Sequence, residues 1–303
     1  MISKKLIPLS RPWIDADGPE IPALKEVFSS RWLSTGPKCQ EFEQRFSQYI
    51  GAKHSIAVNS CTAALHLSLH VSGVGPGDEV ITTPYTFTAT SEAIGYTGAK
   101  PVMIDIDPLT LNLDSSQIEA AITPRTKAIV PVHMAGHPCE MDNLTEICNR
   151  YNLVLIDDAA HAISSQYRGT MIGNTGNLSA FSFHATKNLA IGEGGMITTN
   201  CDELAKRLKV VRHHGITKDA WKRQSRKDSW YYEVVEQGFK YNLSDIQAVL
   251  GLCQLAKLEK QFEIRNMLAK VYQNELGAVS QITLPKVPVD GKHAWHLFII
   301  QLD

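Results

Sequence analysis

Phe181-Ser182-Phe183-His184-Ala185-Thr186-Lys187-Asn188 is followed at once by Leu189-Ala190-Ile191-Gly192-Glu193-Gly194-Gly195-Met196-Ile197-Thr198-Thr199. The first part alternates apolar residues with small or polar ones, as a strand does. It then releases Lys187 into a turn that Gly192, Gly194 and Gly195 keep free of side chains. A lysine shown at a strand end and partly withdrawn from water has its ammonium form disfavoured. Its amine can then attack an aldehyde or ketone. A solvated surface lysine is the commoner use of the residue type, so the neighbours have to decide.

Working back towards the amino terminus, Leu153-Val154-Leu155-Ile156 is a continuous apolar strand that delivers Asp157-Asp158-Ala159-Ala160-His161 at its end. Two carboxylates directly after a buried strand do not read as solvated surface, because one must point back over the sheet edge. Such a pair suits a metal ion, or the protonated nitrogen of a pyridine ring. Earlier strands are His54–Val58, Glu79–Thr83, Lys100–Ile106 and Thr126–His133, separated by helical stretches. Repeated strand, turn and helix units of this length imply an α/β domain with a largely parallel sheet and a site at the strands' carboxyl ends.

Asn59-Ser60-Cys61-Thr62 is a tight polar turn ahead of a helix from Ala63 to Val71. Orphan amides and the positive end of the helix dipole make that place an anion site, although capping by Ser60 or Thr62 explains the hydroxyls equally well. Phe87 follows another strand end, where an aromatic either covers a planar ring or packs in the core.

The flanking segments carry less chemistry. Helices are expected over Pro19–Ser29, then up to a glycine stop at Gly51, over Cys139–Tyr151, and from Cys201 through a charged stretch. Pro84–Thr90 reads as the start of a helix, and Ile216–Ser229, rich in Lys and Arg, as a mobile surface loop. A long helix after Ser244 carries an apolar face of Ile246, Val249, Leu250, Cys253, Leu255 and Leu258. Trp295–Leu302 reads as a strand apolar enough to need cover on both faces, with Asp303 the last residue. That pattern implies a large domain over residues 1–245, then a linking helix and a partial small domain over 246–303.

With 303 residues, 44% of them hydrophobic, the chain can bury a sizeable core. A net charge of −1 provides no broad basic field for nucleic acid or anionic membrane, so any phosphate site must be built locally. No run approaches the ~18 apolar residues of a membrane span, and the first residues lack a signal peptide's apolar core and cleavage site. Six scattered cysteines without a C-x-x-C pair fit reduced thiols. The expectation is a cytoplasmic protein.

A hydroxyl-rich helix start, an aromatic at position 87, Asp157-Asp158 after an apolar strand, and Lys187 together supply what pyridoxal phosphate needs. These are a phosphate cradle, a stacking face, a carboxylate for the ring nitrogen and an amine for the aldehyde. Four runs carry a closer resemblance: Thr35-Gly36-Pro37, Asp158-Ala159-Ala160-His161, Ser182-Phe183-His184-x-x-Lys187-Asn188 and Gly192-Glu193-Gly194-Gly195. In these the chain resembles the DegT/StrS-type sugar aminotransferases, fold-type I pyridoxal 5'-phosphate enzymes, over almost its whole length. Gly238–Leu243 and His293–Ile300 further resemble the branch of the UDP-4-amino-4-deoxy-L-arabinose–oxoglutarate aminotransferase.

The resemblance implies roles for particular residues. Lys187 is the Schiff-base lysine and proton shuttle, Asp158 the partner of the pyridine nitrogen, and His161 a neighbour of the ring hydroxyl. Phe87 is the stacking aromatic. Ser60, Cys61, Thr62, Ala63 and Ser182 form the phosphate cradle, with Cys61 where many members carry glycine or another small residue. Asn242 is the residue that a second subunit contributes, and Lys240 a contact for the nucleotide diphosphate. The implied activity moves an amino group from L-glutamate to the C4 keto group of a UDP- or dTDP-linked sugar, in a homodimer with shared sites. Amination at C3, or a pyridoxal phosphate binder without turnover, stays open. Sugar dehydratases of the same family carry histidine where this chain has Lys187.

Overall fold

The structure, a computed structural model, describes residues 11–14, 17–217 and 232–302. Most of the expected loop over Ile216–Ser229 therefore lies outside the described residues. Among the described residues the strands are β1 (His54–Val58), β2 (Glu79–Thr82), β3 (Lys100–Met103), β4 (Thr126–Ile129), β5 (Val154–Asp158), β6 (Gln166–Tyr167), β7 (Thr170–Met171), β8 (Leu178–Ser182), β9 (Gly195–Thr199), β10 (Ile282–Thr283), β11 (Gly291–Lys292) and β12 (Gln301–Leu302). The helices are α1 (Glu20–Ser30), α2 (Pro37–Ile50), α3 (Cys61–Val71), α4 (Ala89–Tyr96), α5 (Ile118–Ala121), α6 (Met141–Tyr151), α7 (Asp202–Val211) and α8 (Asp245–Leu276). None of the helices described is long and apolar enough to cross a membrane.

Seven strands form the central sheet in the order β1-β9-β8-β5-β4-β2-β3. Every neighbouring pair is parallel except the two that β9 makes, with β1 and with β8. The expected α/β architecture is present, and the mixed, mostly parallel sheet is that of fold-type I. Side-chain alternation explains why its strands read as apolar runs. Ile81, Ile129, Leu155, Phe181 and Met196 face one core with Phe42, Phe46 and Phe183. Val80, Ala128, Ile156, Ala180 and Ile197 face the other, with Leu65, Leu67 and Leu69 of α3. Both faces are buried, which suits a parallel sheet flanked by helices.

The topology collects one edge. β1, β2, β4, β5 and β8 all end there, and antiparallel β9 begins there, so the connection over residues 183–194 lies across that edge. Gly195 makes the close approach possible: a Cβ on it would fall 2.5 Å from the Ser60 carbonyl oxygen and 2.8 Å from the Cys61 nitrogen. The start of β9 thereby presses against the start of α3.

The Thr35-Gly36-Pro37 run is a clamped helix start. Asp245, buried at the head of α8, accepts hydrogen bonds from the amides of Gly36 (2.8 Å), Cys39 (2.9 Å) and Lys38 (3.1 Å). The carboxylate serves the orphan donors of α2 and sits at the positive end of its dipole. A Cβ at position 36 would meet the Trp32 indole at 2.1 Å. Thr35 Oγ1 donates to the Leu243 carbonyl at 2.6 Å, and the Asn242 amide donates to Thr35 Oγ1 at 2.6 Å. The segment before α8 is thus bound to the turn before α2.

Some boundaries differ from the sequence reading. Pro84–Thr90, read as the opening of a helix, is irregular as far as Thr88 and turns helical only at Ala89, and the strand expected over Lys100–Ile106 ends at Met103. The larger correction is Trp295–Leu302. Only Gln301–Leu302 is strand, paired with Ile282–Thr283, and the residues before it run irregularly across the large sheet's edge. Amides at the start of the run are spent on a loop: Ala294, just before it, donates to the Gly136 carbonyl at 3.0 Å, and His296 to that of Ala135 at 2.9 Å. Trp295 takes φ 49°, a left-handed conformation that breaks any strand.

Candidate active site

Strand alternation separates the two adjacent aspartates. Asp157 points away from the edge, where Ser179 Oγ donates to its Oδ2 at 2.7 Å. Asp158 points into a cavity of about 400 Å³ that Lys187 also lines. That volume lies within the range of small-ligand pockets. Ser60, Cys61, Thr62, Phe87, His161 and Ser182 share its walls. Three other expected residues do not. Ala63 spends its amide on Ser60 Oγ at 3.1 Å, Asn242 turns to Thr35, and exposed Lys240 lies beyond the walls.

Lys187 is held by its loop. Phe183 donates its amide to the Gly194 carbonyl at 2.9 Å, Ala185 to that of Gly192 at 2.9 Å, and Lys187 to that of His184 at 2.9 Å. Buried Phe183, Leu189 and Ile191 anchor the loop in the core. The amine has no hydrogen-bond partner among the described residues. Burial lowers its pKa, and the negative charge of Asp158 partly opposes the shift. The direction of the shift favours the neutral amine, the form a nucleophile requires.

Asp158 is fixed from two sides. Thr90 Oγ1 donates to its Oδ2 at 2.8 Å, and the Ala160 amide donates to its Oδ1 at 3.1 Å. Thr90 has only one proton, so Thr86 is the donor in the 2.7 Å bond between the two threonine hydroxyls. Burial raises the Asp158 pKa, while those hydrogen bonds and Lys187 pull it back. Sequence reading missed Thr90, because a threonine in the first turn of a helix looks like any other.

His161 accepts the Ala135 amide on Nδ1 at 3.2 Å. Burial pushes its pKa down to about 3, with Lys187 adding to the effect, so the ring is neutral and carries its proton on Nε2. Its other face meets His296, with ring centroids 4.3 Å apart. His296 Nδ1 lies 3.1 Å from Asn188 Oδ1, and Asn188 donates to the Ala294 carbonyl at 3.1 Å. The carboxyl-terminal segment therefore packs beside the lysine. Sequence reading missed His296, since it sits in an apolar run that periodicity assigns to a strand.

The residues fit pyridoxal phosphate. At the start of α3, Ser60 Oγ takes the Ala63 amide, leaving those of Cys61 and Thr62 without an acceptor among the described residues. Unpaired amides at the head of an 11-residue helix suit a phosphate, and Ser182 and Thr62 hydroxyls stand in the same wall. Phe87 is 76% exposed, so its ring face is not used in packing. A buried carboxylate, a half-buried amine, free helix amides and an open aromatic face meet in one cavity.

Fold and site together define a fold-type I pyridoxal phosphate enzyme. Residues 15–303 match the DegT/DnrJ/EryC1/StrS aminotransferase family. The chain belongs to that family. It is 49% identical over 305 residues to the spore coat polysaccharide biosynthesis protein SpsC of Bacillus subtilis, an alignment covering 100% of this chain and 78% of the relative. Among solved structures, Spr1654 from Streptococcus pneumoniae in its PMP-form superposes with a TM-score of 0.91 at 35% identity, over 98% of this chain and 79% of that one. The sugar aminotransferase CalS13 from Micromonospora echinospora gives 0.90 at 31% identity, over 98% and 81% respectively.

Proposed function

We propose that this enzyme moves the amino group of L-glutamate to the C4 keto group of a UDP- or dTDP-linked sugar, for cell-surface polysaccharide or related amino-sugar synthesis. The observation that carries transamination is the placement of Lys187 and Asp158 in one cavity with the free amides of α3. When bound, pyridoxal phosphate supplies an aldehyde for the amine and a protonated ring that withdraws electrons from the carbon losing its proton. Lys187 would take that proton from the donor's α-carbon and return it two bonds away, to the carbon that was the cofactor's aldehyde, and burial, which lowers its pKa, favours the neutral amine this needs. Asp158, oriented by Thr90 and Ala160, holds the proton on the ring nitrogen. His161, whose proton stays on Nε2, would offer that N–H to the ring hydroxyl.

The nucleotide-linked acceptor and C4 position rest on the resemblance of Gly238–Leu243 and His293–Ile300 to the arabinose branch. The similarity to SpsC, a spore coat polysaccharide biosynthesis protein, supports a sugar bound for the cell surface. Asn242 and Lys240 lie outside this chain's cavity, which is the arrangement expected if each serves the site of a second copy in a cytoplasmic homodimer. Glutamate-dependent amination assayed across UDP- and dTDP-linked 3-keto and 4-keto sugars tests the reading. Amination of 3-keto sugars alone would refute the C4 assignment, and no amination of any nucleotide sugar would refute the acceptor class.

A further inference from the structure

Lys187 also lines a second cavity, of about 620 Å³, whose walls do not include Asp158. Asn188, His296, Gln261 and Arg265 are among its walls. Gln254, Gln261 and Arg265 are spaced by seven and four along α8, so the helix presents them on one face. Gln254 is occupied, donating to the Trp13 carbonyl and to Glu20 Oε1, each at 3.0 Å. The other two are not.

Gln261 is 4% exposed, and its Nε2 is buried without a hydrogen-bond partner among the described residues. A buried amide donor left unpaired is costly, and such a group in a cavity wall marks a place where a ligand accepts. Arg265, half-buried one turn further, makes no hydrogen bond or ion pair among the described residues, and burial lowers its pKa. A guanidinium cannot shed its charge at neutral pH, so withdrawal from water without a counter-ion favours an anion beside it. His296, itself held neutral by burial, feels the charges of both Lys187 and Arg265, which places the two cations around one ring.

We infer that Arg265 and Gln261 bind a carboxylate of the amino donor, presenting the donor to Lys187; this rests on the transamination reading given above. The planar fork of an arginine matches a carboxylate through two parallel hydrogen bonds, and the glutamine amide adds a third donor. Chemistry favours the donor over the sugar nucleotide. An amino acid carries its carboxylate one bond from the carbon that Lys187 deprotonates, whereas a nucleotide sugar's diphosphate is separated from its keto carbon by the sugar ring. A cation sharing a cavity with Lys187 suits the first.

The test titrates the pyridoxal phosphate-loaded protein with glutarate, a dicarboxylate that has no amine to react, using isothermal titration calorimetry. UDP and dTDP are titrated in parallel. Arg265→Gln should weaken glutarate binding by about tenfold or more, Arg265→Lys less, and Gln261→Leu by several-fold, with nucleotide binding unchanged. Because Arg265 has no partner to lose among the described residues, its variants should melt at the wild-type temperature; should the glutamine variant fail to fold, Arg265→Lys and Gln261→Leu give the answer. Unchanged glutarate affinity in the variants would overturn the inference, as would a loss of UDP or dTDP binding in its place. Wild-type turnover with glutamate alongside unchanged glutarate affinity would remove only this subsite. Loss of glutarate binding in Arg265→Gln, in an enzyme that aminates no sugar, would support the subsite while removing the proposed acceptor.

Discussion

Replacing Asp245 by alanine strips the head of α2 of its acceptor. Three amides, those of Gly36, Lys38 and Cys39, share this one carboxylate at 2.8–3.1 Å. A hydrogen bond to a charged group contributes about 1.5–3 kcal/mol, and a buried donor left unmade costs about 1–3 kcal/mol. The three bonds share two oxygens, and the Lys38 amide is only partly buried, so simple addition overstates the loss. A destabilisation of roughly 3–5 kcal/mol follows, in the range reserved for broken buried networks. At ~2–3 °C per kcal/mol for a chain of this size, the melting temperature should fall by roughly 6–15 °C. Circular dichroism of thermal and urea unfolding measures both quantities. Asp245→Asn should fall between, because one oxygen survives while its amino group faces a donor. A loss below about 1 kcal/mol in Asp245→Ala would refute the clamp, since even one such bond exceeds it.

Three further outcomes are expected. Asp158→Asn should fold normally yet lower transamination by about 100-fold or more, because a neutral amide no longer holds the ring proton; an unchanged rate would show that the carboxylate has no such role. Gly195→Ala should weaken pyridoxal phosphate loading by at least about tenfold, read by dialysis and absorbance, as its Cβ would displace the Ser60–Cys61 backbone; full loading would show that the approach is slack. Stability should fall as pH drops below about 6.5. His133, His161 and His293 have folded pKa values near 3 and His296 near 2, all through burial first, so the unfolded chain takes protons that the folded one refuses. Asp157, raised by burial to about 6, works the opposite way between pH 6 and 4 but is outnumbered. Melting curves from pH 8 to 5 that stay flat or rise would contradict this.

The features legible in the sequence were those set by local chemistry. Apolar strands followed by Asp158 or Lys187, and glycines that clear a turn, carry their meaning within ten residues. Periodicity alone could not choose between Asp157 and Asp158, because alternation says that they face opposite ways but not which way the sheet edge lies; only the family resemblance pointed to Asp158. Thr90, Asn188 and His296 act through contacts distant in sequence: Thr90 reaches a carboxylate 68 positions on, and Asn188 a carbonyl 106 positions on. Trp295–Leu302 misled for a physical reason. An apolar run signals burial, but here only Trp295 is buried while Leu297, Ile300 and Leu302 stay exposed, and the amides of His296 and Leu297 go to the Ala135 carbonyl rather than to a neighbouring strand. Ser60 shows the same ambiguity from the other side, for its hydroxyl caps α3 while the neighbouring amides stay free.

The most direct measurement follows the absorbance of the pyridoxal phosphate-loaded protein on adding L-glutamate, then a keto-sugar nucleotide, in wild type and Lys187→Ala. Transamination through Lys187 requires wild type to lose the pyridoxal band with glutamate, release oxoglutarate, and regain the band as the sugar is aminated. The variant should bind the cofactor yet complete neither half within the same time. Comparable turnover in Lys187→Ala, or a wild-type band indifferent to glutamate, would contradict the assignment.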